Sequence, residues 1–281
     1  MSPETMTITR DVQTDIDDRR VAIREVGISD LKTLMTVSGI ELDETAEQTV
    51  SMTASLGASL REEIKGIHMS RLVEDLLEAE GRLDFRGILN LLLRLRDHQG
   101  SDDSVLSFAF DYFLDRQAPV SGRIAKQAYS CRYEARLKDG KELTFVQSVE
   151  VPVTTLCPCS KEISSYGAHN QRGYVDVRLE HHFADIGEAD VKICLEEVIE
   201  QVEASASAPL YPILKRVDER FVTMQAYDEP RFVEDMVRNV SMKLREDVRV
   251  DAWQVKVTNH ESIHQHNAYA VVRGGPSALR F

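Results

Sequence analysis

Two apolar periodicities follow one another in a fixed order along the chain, and that order narrows the fold more than any other feature. Apolar and polar side chains alternate over 50–56 ("VSMTASL"), 108–114 ("FAFDYFL") and 174–179 ("YVDVRL"), the period of a strand with one buried face. Between such stretches the period lengthens. Leu72, Val73, Leu76 and Leu77 behind Ser70 as N-cap, then Ile88, Leu91, Leu92 and Leu95 after Gly87, recur at helical spacing. Val191, Cys194, Leu195, Val198 and Val202 do the same, as do Val233, Met236, Val237, Val240 and Leu244 after Pro230, read as a first helical position. Residues 19–58 thus give two strands, 70–97 two helices and 104–137 two strands, and 143–182, 188–246 and 249–273 repeat the series. Each half reads ββααββ, which predicts an α+β fold: an antiparallel sheet with a helix pair on one face. The halves are placed at 1–120 and 121–281, with their boundary between 118 and 142.

At 281 residues and 42% hydrophobic content, the chain can bury a core of that size. Its 34 Lys and Arg against 47 Asp and Glu leave a net charge of −13, which opposes attraction to nucleic acid or anionic lipid. An anionic small substrate would need a locally basic pocket. The opening "MSPETMTITRDVQTDIDDRR" lacks the apolar core of a signal peptide, and no later stretch approaches a spanning helix, so a soluble, cytoplasmic protein is expected. Four cysteines do not make a disulfide framework in a chain this long. A reduced thiol, as ligand or nucleophile, fits better.

The chemistry-bearing residues gather in a few short stretches. In "TTLCPCSKEISSYGAHNQRG" (154–173) a strand ending at Thr154 and Thr155 delivers Cys157 and Cys159 onto a loop, with Pro158 between them reading as a bar to helix. His169 follows in a connection where an imidazole would be accessible and titrate near neutrality. "TNHESIHQHNAY" packs His260, His264 and His266 with Glu261 into a connection between strands, more histidine than a turn requires. Glu219 in "LKRVDERF" and Glu234 in "PRFVEDMVR" are the acidic candidates, the latter in a first helical turn beside Val233, where partial desolvation is expected. Cysteine, carboxylate and histidine together form a mixed ligand set; three with an open position suit a catalytic metal, four a structural one. Cations for an anionic substrate are available at Lys65, His68, Arg71, Lys161, Arg172, Lys215 and Arg216.

These stretches also carry a resemblance. "DVQ" (11–13), "VGI" (26–28), "KGIHMSR" (65–71), "CPCSKEIS" (157–164), "GAHNQR" (167–172), "LKRVDE" (214–219), "FVED" (232–235) and "NHESIHQHNAYA" (259–270) stand in the order found in the type IB GTP cyclohydrolases of folate synthesis, with archaeal relatives in methanopterin synthesis. The chain resembles that family over nearly its whole length. One departure is "LKTLMTV", where a proline is expected near Leu34 or Met35. The resemblance implies tandem tunnelling-fold (T-fold) modules, each ββααββ, in a homotetramer with active sites at subunit interfaces. It also implies conversion of GTP and water to 7,8-dihydroneopterin triphosphate and formate, with one divalent metal (Mn, Fe or Zn) per site. Carried over by motif, Cys157, Glu219 and His264 are the metal ligands, and His169 completes the metal site or donates a proton. Glu234 is the guanine anchor, and the cations above serve the triphosphate. Three alternatives remain at this stage. One is a nitrile reductase on the same fold, using a cysteine nucleophile and NADPH. Another is a cyclohydrolase giving a 2′,3′-cyclic phosphate, and the last is a non-enzymatic metal-stabilised scaffold or nucleotide-binding module.

Overall fold

The strand periods resolve into one curtain of ten paired strands in the computed structural model, which describes residues 11–38, 47–79, 82–191 and 193–275. Residues 1–10, half of the segment read for a leader, lie outside the described residues. The eight main strands are β1 (Ile23–Ser38), β2 (Glu47–Leu60), β4 (Ser104–Gln117), β5 (Ile124–Lys138), β6 (Glu142–Leu156), β7 (Asn170–Phe183), β9 (Ala252–His260) and β10 (Ala268–Gly274). Two-residue strands β3 (Arg82–Leu83) and β8 (Ala208–Pro209) attach to β1 and β6. The order is β10-β9-β7-β6-β5-β4-β2-β1-β3, and every pairing is antiparallel except β1 with β3.

Strand alternation gives this sheet one apolar face, and the helices cover it. Helices α1 (Met69–Glu78) and α2 (Phe85–Gln99) lie over the strands of the first half, α4 (Leu195–Glu203) over β6, and α6 (Val233–Glu246) over β9 and β10. Leu72, Leu92, Leu95, Phe108, Phe145, Val177 and Met236 are fully buried between the layers. Burying a large apolar side chain stabilises by about 1.5–3 kcal/mol, so the face holds itself shut. The core also runs unbroken from one half to the other. Phe85 meets Phe145 edge-on at 5.3 Å, the Tyr112 hydroxyl donates to Glu196, and the Tyr129 hydroxyl donates to Glu203 at 2.7 Å.

Several local expectations are corrected. Ser70 is not a cap: α1 begins at Met69 behind His68, which makes no side-chain capping bond. Gly87 does not precede α2 but lies in its first turn, where its N–H donates to the true cap, Asp84, at 2.6 Å. Pro230 stands outside α6, whose N-cap is Phe232. Pro158 starts a helix instead of barring one: α3 (Pro158–Ile163) places it at the first helical position, where a missing N–H costs nothing and the ring pre-sets φ. Two helices were expected over 188–246, and three form. The additional one is α5 (Arg216–Asp228), which buries only Asp218 and Ala226 and leaves Val217, Phe221 and Met224 exposed. With no buried apolar stripe, it gave no amphipathic signal.

Register fixes which connections share an end of the sheet. Gln117 pairs with Ile124, Leu156 with Asn170, and Arg172 with His260. With Ser130 opposite Glu150, this brings the 118–123 turn, the 157–169 connection and the 261–267 loop to one side. The 65–71 segment follows the other end of β2, where Ala58 faces Ser104. No described helix is long and apolar enough to cross a membrane.

Candidate active site at the strand ends

Cys157 is the N-cap of α3. Its Sγ accepts from the Ser160 N–H at 3.4 Å, while its own N–H donates to the His169 carbonyl at 3.1 Å. Ser160 closes the loop, its hydroxyl donating to the Cys157 carbonyl and accepting from the His169 N–H, both at 3.1 Å. Cys157 and His169 are therefore neighbours through backbone, both half-buried, whereas Cys159 is exposed.

The His169 imidazole is held from two sides. Nδ1 lies 3.0 Å from Gln171 Oε1 and 3.3 Å from the Ser262 hydroxyl, which brings in the 261–267 loop. On that loop His264 stacks on His266 with centroids 5.1 Å apart, and both are exposed. His260, at the end of β9, packs against the Tyr174 ring at 4.8 Å instead.

Two helices complete the surround. The Arg231 N–H donates to the Leu156 carbonyl at 3.0 Å, tying the start of α6, and with it Glu234, to the end of β6. Glu234 is exposed, so the desolvation expected for it is absent in the single chain. Helix α5 sends Val222, Thr223 and Ala226 into a cavity of about 210 Å³ shared with Thr154, Asn170 and Gln171. Glu219 precedes Val222 by three residues and Thr223 by four, which puts it on the same face of α5, one turn back. Asp218, beside it, accepts from the Ser121 hydroxyl and the N–H groups of Val120, Ser121 and Lys215 at 2.6–2.8 Å. Burial opposes that charge, but the hydrogen bonds from Ser121, Lys215 and Val120 outweigh it and hold the carboxyl well below its usual range. The 118–123 turn and the start of α5 are thereby clamped together.

Cys157, His169, His264, Glu219 and Glu234 thus lie on elements gathered around one end of the sheet. They do not close into a ligand cage: among the described residues no three of His, Cys, Asp and Glu converge to hold a metal. The cations divide. Lys215 and Arg216 start α5 and are exposed, and Arg172 is exposed beside His260. Lys161 is engaged, its Nζ donating to the Tyr227 carbonyl at 2.5 Å and lying 4.3 Å from the ring centre. Lys65, His68 and Arg71 belong to the opposite end, where His68 Nε2 meets Asp11 at 3.2 Å and Arg71 donates to the His98 carbonyl at 3.3 Å.

A groove of about 740 Å³ runs elsewhere, across the helix-free face of the sheet past Lys32, Asp111, Arg132 and Glu150. It is broad and of mixed charge, and the carboxyls of Glu150 and Asp176 on that face are pushed up, first by desolvation and in Glu150 also by Asp176. A polyanion is disfavoured beside that pair. The strand ends, with Lys215, Arg216 and Arg172, suit one better.

Sequence reading missed Gln171, Thr155 and Asp218. A signal for the first two existed: both are polar residues at the buried parity of strands otherwise apolar there, opposite each other in register.

Comparison with known proteins bears on this site. The family described as type I GTP cyclohydrolase folE2 matches residues 9–270. A protein of Syntrophobacter fumaroxidans named GTP cyclohydrolase FolE2 is 39% identical over 264 residues, 93% of this chain and 98% of the relative. One of the same name from Caldicellulosiruptor bescii is 41% identical over 268 residues, 94% of this chain and 98% of its own. Among solved structures, uricase from Arthrobacter globiformis superposes with a TM-score of 0.52 at 9% identity, covering 92% of this chain and 95% of its own. A uricase from Bacillus fastidious gives 0.51 at 7% identity, over 89% and 92%. At such identity the likeness concerns the fold alone: a large antiparallel sheet with few helices.

Proposed function

The chain belongs to the FolE2 family of type I GTP cyclohydrolases, and from that premise we propose that it hydrolyses GTP to 7,8-dihydroneopterin triphosphate and formate, the opening step of tetrahydrofolate synthesis. FolE2 is the family name that replaces the type IB label read from the motifs. The observation that carries the reading is the junction at the end of β6: Cys157 and His169 joined through backbone, Ser262 reaching the same imidazole, and α6 tied to Leu156 three residues before Glu234.

The reaction opens a stable purine imidazole ring at C8, which needs an activated water, a proton for the departing ring nitrogen and a rigid hold on the base. Cys157, Glu219, His264 and His169 are the residues that would hold a divalent cation. Their donor chemistry fits Mn, Fe or Zn, since Cys157 Sγ accepts only a long N–H bond and His169 is engaged at Nδ1, leaving Nε2. When bound, such an ion supplies Lewis-acid activation of water. Where it does not ligate the ion, His169 would take a proton from attacking water at Nε2 and pass it to the ring nitrogen, a contribution on the order of 10² to 10⁴ in rate. Glu234 accepts from guanine N1–H and the exocyclic amine, and adenine, lacking that donor pair, is rejected.

The triphosphate meets Lys215, Arg216 and Arg172. Lys65, His68 and Arg71 lie at the other end of the strands, so for them to serve the same ligand a second copy of the chain must bring them. This is the reason to retain a homotetramer with tandem T-fold modules and interfacial sites in the proposal. Lys161, committed to Tyr227, is the least available of the cations proposed.

Incubation with GTP, followed by oxidation and pterin fluorescence, tests the activity, and mass spectrometry separates the linear triphosphate from a cyclic phosphate. Glu234→Gln is expected to lower kcat/KM for GTP by roughly 100-fold, from the loss of a charged hydrogen bond worth about 3 kcal/mol. Unchanged turnover in that variant removes the guanine anchor.

A further inference from the structure

The inner face of β7 is apolar at Val175, Val177 and Leu179, and the same parity puts Gln171 there, only 7% exposed. A primary amide so buried must satisfy its donors and its acceptor locally. Gln171 Nε2 donates to Thr155 Oγ1 at 3.0 Å, and Thr155 is itself fully buried as the register partner of Gln171 on β6. The other end of the amide, Oε1, lies 3.0 Å from His169 Nδ1.

An amide that turns its nitrogen to Thr155 turns its oxygen to His169. That oxygen only accepts, so the proton belongs on Nδ1, and a neutral imidazole with Nδ1–H carries its lone pair on Nε2. The Ser262 hydroxyl oxygen, 3.3 Å from the same nitrogen, is then a second acceptor for one N–H. A lone pair on Nδ1 would instead face the lone pairs of Gln171 Oε1.

We propose that Gln171, with its amide nitrogen on Thr155 and its oxygen on Nδ1, is a positioning residue that holds His169 in the Nδ1–H tautomer and so keeps Nε2 as the nitrogen offered to the site. Either a divalent cation or a proton released by attacking water requires that lone pair. What Nε2 meets rests on the function proposed above; the tautomer does not.

The test is a long-range ¹H–¹⁵N correlation on full-length, ¹⁵N-histidine-labelled protein at pH 8, as purified and again after chelation, with His169→Asn identifying the resonance. His169 is expected to show the Nδ1–H pattern in both states. Gln171→Leu should abolish that preference, and Gln171→Glu, which keeps an acceptor in place, should restore it. Thr155→Val, nearly isosteric and remote from His169, should shift the pattern toward Nε2–H by freeing the amide to turn, whereas Ser262→Ala should leave it alone. An Nε2–H pattern in the unaltered protein overturns the proposal without any variant having to fold, and so does a spectrum indifferent to both Gln171→Leu and Thr155→Val. In parallel, Gln171→Leu should lower kcat for GTP about 10- to 100-fold with little change in KM. If the tautomer behaves as stated while turnover ignores Gln171 and His169 alike, the positioning stands and the role of His169 in the reaction falls.

Discussion

Residues 23–138 and 142–274 each contribute four main strands to one sheet and cover the same face of it, yet among the described residues the proposed site draws its reactive side chains from the second. In the first half the two helices α1 and α2 bury Leu72, Leu76, Leu91, Leu92 and Leu95 and serve the core. In the second, α4 and α6 do that work, and α3 and α5 are left free of it. Helix α3 buries none of its residues and carries Cys157 as its cap; α5 lies over the strand ends with an exposed apolar edge. The lesson is that a site appears where an element is released from sealing the core while its backbone stays pinned. Here the pins are the Cys157–His169 backbone bond, the Asp218 clamp and the Arg231 N–H on Leu156.

Matched substitutions break or sharpen this contrast. The largest effect is expected at the cysteines: Cys157→Ala should lower GTP turnover at least about 100-fold, as loss of a proposed ligand exceeds the loss of its supporting partners. Cys131→Ala on β5, whose thiol burial pushes far up in pKa, should leave turnover intact. If the two cysteines lose activity alike, the division between halves is wrong. Next comes Leu92→Ala, a fully buried site on α2, with an expected cost of about 2–5 kcal/mol in denaturant unfolding and little change in KM for GTP.

A third prediction concerns acid stability in the second half. Burial, opposed only in part by the charge of Asp251, pushes His181 down from 6.5 to about 4. The unfolded chain therefore takes up this proton before the native one does. The contribution is complete above pH 6.5 and is lost as pH falls toward 4, by on the order of 3 kcal/mol at about 1.4 kcal/mol per pH unit. Equilibrium unfolding from pH 7 to pH 4 should show that slope, and His181→Phe, against the neighbouring Phe145, should flatten it. The smallest effect is expected for Phe221→Ser on the exposed edge of α5, within about 0.5 kcal/mol of the parent. A loss of several kcal/mol there would mean that the edge is covered in solution.

Much of this was legible beforehand, for identifiable reasons. Strands β2, β4 and β7 and helices α1, α2, α4 and α6 announce themselves because each must bury one face, and burial writes a period into the sequence. Helices α3 and α5 bury almost nothing and so write none; Pro158, read as a breaker, turned out to be a starter because the first helical turn needs no N–H from it. Cys157, His169 and Glu234 stood out by residue type and motif. Gln171 and Thr155 did not, since a polar residue at a buried position means little until its partner is known.

From the sequence alone came the strand and helix periods, the resemblance to GTP cyclohydrolases, and the short stretches where reactive side chains collect, all of them properties of neighbouring residues. Only the tertiary structure decided that the 157–169 connection, the 261–267 loop and the starts of α5 and α6 share one end of the sheet while Lys65, His68 and Arg71 lie at the other. Register causes the difference: it is set by hydrogen bonds between strands far apart in the chain, and a shift of one residue between β6 and β7 would part Gln171 from Thr155.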